Sequence, residues 1–248
     1  MSIAERAHAA RSGVATLLRT AGPEYWLLAT LATTATNLLD FATLPVPGEL
    51  PGPAFFAAAV ARVLIVFYAT FAIQRRMAKV SAPFAAGAPF VRFLLFSLAF
   101  AALYAAIGAG LSYGVMLPAM SISSQWLALL ALAGLWGVLL IRLAAWGPAL
   151  ATGEPFRALP GLFRRLRRSQ VPLAFVFLQL VLPFAAIHLA LALLGARLPL
   201  SGTALAALAL IDGVITAIQL LIASALGVFA WRIAQDRDGA LRKAPGRR

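Results

Sequence analysis

One serine in this sequence stands where a nucleophile could. Gly110-Leu111-Ser112-Tyr113-Gly114 fits the Gly-x-Ser-x-Gly pattern, in which a sharp strand-to-helix turn presents the hydroxyl. His188 and Asp212 are the residues that could serve it as base and orienting acid. Two features argue against that chemistry. The chain order Ser, His, Asp differs from the Ser, Asp, His of that hydrolase fold, and Ser112 lies inside an apolar run that predicts helix. Gly110 and Gly114, at i and i+4, are better read as a small-residue face for helix packing. No catalytic residue is assigned.

Asp212 belongs to a second pattern. Thr33, Thr36, Asn37 and Asp40 fall at i, i+3, i+4 and i+7, so a helix places them on one face. Asp212, Thr216 and Gln219 make a similar stripe further along the chain. Hydrocarbon offers such stripes no hydrogen bonds, so both must point into a bundle, either to bond neighbouring helices or to line a hydrated path. Arg62 and Asp212 come out at matching depths, about 12 to 14 Å below one surface at about 1.5 Å per residue. Together with Asp40 and His188 they form an expected intramembrane polar cluster, with Arg62 and Asp212 ion-paired. Gln179 and Pro183 share a helical face, whereas His188 lies about 180° from Gln179 and does not join it in one site. Pro183 predicts a kink.

The elements that must position these residues are membrane spans. The chain has 248 residues, 62% of them hydrophobic and 12% charged, with a mean hydropathy of +0.90, which excludes a soluble surface. Apolar runs at 25–41, 54–73, 93–115, 126–145, 171–194 and 203–230 approach or exceed the roughly 20 residues needed to cross a hydrocarbon core about 30 Å thick. Gly22-Pro23-Glu24 and the four prolines between 45 and 53 mark breaks.

The net charge of +13 sits between the runs. Three basic residues precede the first run, four lie between 74 and 92, six between 142 and 168 and six from 232 onward, whereas the alternate connectors carry only Arg197. By the positive-inside bias both termini and the basic connectors are cytoplasmic, in a bacterial inner membrane. Charge so placed points to anionic phospholipid headgroups rather than nucleic acid. The absence of cysteine and the presence of only two histidines argue against a metal, and no cofactor is expected.

The second basic connector carries an amphipathic pattern. Leu159, Leu162, Phe163 and Leu166 share one helical face, and Arg164, Arg165, Arg167 and Arg168 crowd the rest. This predicts an interfacial helix starting near Pro160, with Arg157 and those four arginines as headgroup contacts. The two connectors also resemble each other, since each contains Gly-x-Pro-Phe followed by arginine, at Gly87 and at Gly153. A parallel repeat of 54–115 and 126–194 would account for this, as would chance similarity of Ala/Gly/Pro-rich connectors. The domain organisation is then a basic segment 1–22, a six-span domain 23–230 and a basic tail 231–248.

The stretch 142–180, a helix end, then Pro148-Ala149-Leu150-Ala151-Thr152-Gly153-Glu154-Pro155 and an Arg-rich segment entering a new span, resembles uncharacterised six-span bacterial membrane proteins. More distantly it is similar to the membrane domain that accompanies glycerophosphodiester phosphodiesterases. It covers about a sixth of the chain, and without a soluble phosphodiesterase domain it implies no such activity.

The fold expected is therefore all-α, a polytopic transmembrane helix bundle of about six spans with amphipathic cytoplasmic connectors. The function expected is non-enzymatic, organising lipid or a membrane-protein partner. The alternative is a small secondary transporter or channel built on the polar stripes and the charges in the outer half of the bundle.

Overall fold

The computed structural model describes residues 3–43, 52–115, 137–197 and 202–242, and every regular element among them is helical. The N-terminal segment is itself a helix, α1 (Ile3–Ala21). Its Ala10, Val14, Leu17 and Ala21 recur at helical spacing and are buried. Gly22 adopts φ +86, a left-handed conformation that ends α1, and Pro23 opens α2 (Pro23–Thr43). The break read at Gly22-Pro23-Glu24 is where the chain turns.

α3 (Pro53–Met77) and α4 (Ala88–Val115) follow. An apolar helix, Gly137–Ala151, turns at Ala144 and Ala145, and its last part is α5 (Trp146–Ala151). α6 (Leu159–Leu166) lies between two short 3-10 turns, and α7 (Gln170–Leu180) is separated from α8 (Leu182–Arg197) at Val181. Pro183 is the second residue of α8. It has no N–H for the carbonyl four residues earlier, which accounts for the break. α9 (Gly202–Arg242) has 41 residues, about 60 Å of helix and twice the hydrocarbon thickness.

Among the described residues three helical stretches are long and apolar enough to cross a membrane: Pro53–Met77, Gln170–His188, which continues through the turn at Val181, and Gly202–Asp236. Ala88–Leu103, the first part of α4, and Gly137–Ala151 are further apolar helical stretches. α2 is not among the three, because its threonines, Asn37, Asp40 and Glu24 lower its mean hydropathy. Most of the expected fourth run, 126–136, lies outside the described residues. Exposed Leu27 and Leu31 on α2, Phe56 and Val60 on α3, Leu95 on α4 and Phe175 on α7 give the helices the apolar outer surface that lipid contact requires.

α9 is the spine, packed against α1, α2, α3, α5, α6, α7 and α8. The largest fully buried side chains, among them Phe71, Met77, Leu150, Leu162, Leu166 and Val228, gather at the end of the bundle that carries the connectors 78–87 and 152–158. There Gly13 lets α1 approach α9, since a Cβ would overlap the Phe229 ring. Both connectors begin with the same helix ending. Val80 N–H bonds Arg75 O and Lys79 N–H bonds Arg76 O after α3, while Glu154 N–H bonds Ala149 O and Gly153 N–H bonds Leu150 O after α5. Gly153 holds the left-handed position with φ +106, and Lys79 holds it with φ +65.

α6 begins at Leu159, beside Pro160, where the amphipathic pattern predicts a helix. Its apolar face is not left for lipid: Leu159, Leu162 and Leu166 are buried, and α6 packs on α9 and α5. Arg157, Arg164 and Arg167 are exposed, and the side chain of Arg168 lies outside the described residues.

Candidate functional site

The two polar stripes face each other across α2 and α9. Thr33 donates from Oγ1 to Gly213 O at 2.7 Å and also lies 2.8 Å from Ala29 O, while Thr36 bonds Thr33 O on its own helix. Asn37 Nδ2 donates to Asp212 Oδ2 at 2.9 Å and reaches Ala209 O at 3.4 Å. His188 Nδ1, from α8, lies 2.7 Å from Asp212 Oδ1. The carboxylate thus has one side-chain partner on each oxygen, and Asp212 is 7% exposed. Thr216 Oγ1 lies 3.2 Å from the same His188 nitrogen. A ring nitrogen carries a single proton, and the shorter contact directs it to the carboxylate.

The helices can carry this network because they touch closely. A Cβ on Gly213 would come within 2.8 Å of Thr34 Cα, so only glycine allows the approach that brings Thr33 to the Gly213 carbonyl. Composition of the stripe pointed to Thr33, Thr36 and Asn37, but Gly213 and Thr34 carried no signal beyond one small residue.

The ion pair expected between Arg62 and Asp212 is replaced by other partners: the carboxylate is held by His188 and Asn37. Matching depth had placed Arg62 and Asp212 at one level, but depth does not say which way each helix face turns. His188 joins the cluster as a direct partner of the carboxylate rather than as a neighbour of an ion pair. Gln219 is half-buried further along α9, and the side chain of Asp40 lies outside the described residues. Ser112 lies within the helix α4, so the strand-to-helix turn of a nucleophile elbow is absent at that position.

A second feature was not read from the sequence. A cavity of about 460 Å³ lies between α3, α4, the helix Gly137–Ala151 and α9, toward the connector end. Val66, Phe67, Phe96, Phe100, Leu143 and Leu220 contribute to an apolar lining, in which Thr70, Gln74 and Ser97 are the polar residues. Gln74 is buried, and its Oε1 has no hydrogen-bond partner.

Below the cavity the two connectors are clasped together. Arg75, 8% exposed, donates from Nη1 to Ala151 O and from Nη2 to Ala82 O, each at 2.9 Å, and its guanidinium lies 5.1 Å from the Phe71 ring centre. Arg92, after the first Gly-x-Pro-Phe, donates from Nη1 to Gly153 O and Glu154 O of the second, both at 3.1 Å. Glu154 accepts from Trp231 Nε1 at 2.6 Å and from Gln235 Nε2, and Arg232 donates to Met77 O at 2.6 Å. Arginines counted for topology therefore also hydrogen-bond backbone carbonyls of the connectors and helix ends. Among the described residues no group of three or more His, Asp or Glu side chains could hold a metal ion.

No family model, curated protein or solved structure matches this chain.

Proposed function

We propose that the chain is a six-span bundle of a bacterial inner membrane, with both termini and the basic connectors cytoplasmic, that organises lipid by holding a lipid chain between its helices. The observation that carries this reading is the cavity of about 460 Å³, within the range of roughly 300–1,000 Å³ typical of small-molecule sites. Its lining has too few polar partners to hold ordered water, and it lies among helices with apolar outer faces, so hydrocarbon is the occupant that suits it. The arginines in and around α6, Arg157, Arg164, Arg165, Arg167 and Arg168, add attraction for anionic headgroups at the cytoplasmic face. Such binding needs no cofactor and no catalytic group.

Native mass spectrometry tests the reading. The purified protein should keep a bound lipid through detergent exchange, and Ser97→Phe, whose ring fills the space, should lose it while keeping its helical content and melting temperature. Equal retention by the variant, or no retained lipid in the parent, overturns the reading.

A second reading, transport, has its own support in the hydrogen-bonded pair His188 and Asp212. Ionisable residues inside a span mark proton relays, and the 2.7 Å contact places His188 and Asp212 within transfer distance of each other. Reconstituted vesicles should then show a proton-dependent flux that Asp212→Asn abolishes; absence of any flux in the parent protein rejects it.

A further inference from the structure

We infer that a second cavity, between α1, the start of α7 and α9, binds an anionic phospholipid of the surrounding membrane, with the phosphate at Arg6 and an acyl chain in the apolar space behind it. This goes beyond the lipid-chain cavity of the proposed function, since it uses other helices and adds selection of the headgroup. It rests only on the chain lying in a membrane. The space is about 290 Å³, just under the roughly 300–1,000 Å³ of small-molecule sites.

The residues of α1 create it. At Gly13 a Cβ would overlap the Phe229 ring, so α1 and α9 touch there. One turn toward the N-terminus the same helical face carries Ala9 and Ala10, and then Arg6. Two methyl groups leave open the space that larger side chains would fill. The opposite walls are Pro172 and Leu173 of α7 with Phe229 and Ile233 of α9, which offer water no hydrogen bonds. Arg6 and Ala9 are exposed, whereas Ala10, Pro172 and Leu173 are buried. An occupant therefore meets the guanidinium at the mouth and hydrocarbon walls behind it.

The charge around the mouth selects the headgroup. Arg6 and Ser169 are polar members of the lining, and each already interacts within the protein. A guanidinium has five N–H donors in a fixed fork, enough to keep that partner and hold a phosphate as well. Within three residues of the lining positions the sequence carries Arg6, Arg11, Arg167, Arg168 and Arg232 against Glu5 and Asp236. The excess is cationic, so it favours a headgroup of net negative charge over phosphatidylcholine, whose choline brings a positive charge with the phosphate. A free phosphate would leave the apolar walls uncovered, which makes a phospholipid the fitting source of the anion.

Photocrosslinking reads this by position. The purified protein in dodecylmaltoside is titrated with phosphatidylglycerol or phosphatidylcholine carrying the same diazirine-bearing acyl chain, and labelled peptides are located by mass spectrometry. Phosphatidylglycerol should label 6–10, 169–173 and 229–233 saturably, and at lower concentration than phosphatidylcholine. Arg6→Gln should weaken that labelling about fivefold, the equivalent of about 1 kcal/mol for one arginine beside an anionic surface. Arg19→Gln, which removes the same charge from the other end of α1, should leave it unchanged. Ala9→Phe, whose ring fills the cavity, should abolish labelling by both lipids. Equal labelling by the two lipids, equal weakening by Arg6→Gln and Arg19→Gln, persistence in folded Ala9→Phe, or no saturable labelling of these segments each overturns the inference. Should Ala9→Phe not fold, the two arginine variants decide by themselves. Labelling of 66–74 and 93–101 reports the larger cavity independently, so either lipid site can fail without the other.

Discussion

His188 Nδ1 and Asp212 Oδ1 meet at 2.7 Å across 24 residues of sequence, and Asn37 occupies the other oxygen of the same carboxylate from a third helix. Three helices are thereby tied at one buried anion. Truncating one partner leaves the others facing an unsatisfied group, so the energies of the pair cannot be additive. The double-mutant cycle of Asn37→Ala with Asp212→Ala should give a coupling of about 0.6 kcal/mol and at most about 1.7 kcal/mol, the average and upper end for interhelical hydrogen bonds in a membrane bundle. Unfolding in mixed micelles by denaturant titration measures it, and additive effects would mean that the contact contributes nothing.

Gly213 sets how near α2 and α9 can come. Its Cβ in Gly213→Ala would stand 2.8 Å from Thr34 Cα, a backbone atom that cannot rotate aside. The helices must separate, which costs about 1–3 kcal/mol by the usual scale of overpacking, and the Thr33 bond to Gly213 O lengthens with it. The variant should melt at lower temperature and quench less efficiently in a distance measurement between labels on α2 and α9. An unchanged melting temperature would show that the interface is loose.

Lys79 should be improvable. It holds φ +65 at the end of α3, a conformation that glycine adopts without a Cβ penalty. Its N–H is already used by Arg76 O, so Lys79→Gly keeps the helix ending and removes the strain. A gain of about 0.5–1 kcal/mol is expected, seen as a higher denaturant midpoint. Lys79→Val, with a branched Cβ, should move the midpoint the other way.

The proposed topology has a direct readout, because the chain contains no cysteine that would give background labelling. A cysteine replacing Glu49 should react with a membrane-impermeant maleimide in intact cells, and one replacing Lys79 should react only after lysis. The reverse pattern sinks the six-span arrangement.

Sequence by itself determined the solvent and the main breaks. Long apolar runs with charge confined between them require helices in a membrane, because such helices satisfy every backbone group internally. Gly22-Pro23 and Pro183 interrupt helices for reasons carried by the residues themselves, and the chain breaks at both. The polar stripe on α2 was legible because helical spacing puts Thr33, Thr36 and Asn37 on one side whatever they meet.

Which partner each polar group meets was decided by tertiary structure. Depth along a span is a count of residues, but pairing also depends on how each helix is rotated, and so Asp212 came to His188 and Asn37 rather than to Arg62. The apolar face of α6 could not reveal whether it would meet lipid or protein, since both are apolar; packing gave it α9. α1 escaped notice as a packed helix because half of its buried face, Ala10 and Ala21, is alanine, whose small side chain contributes little to a hydrophobic pattern. Gln74 looked like part of a basic connector, and its burial beside a cavity that Gly147, distant in sequence, also lines was decided by packing.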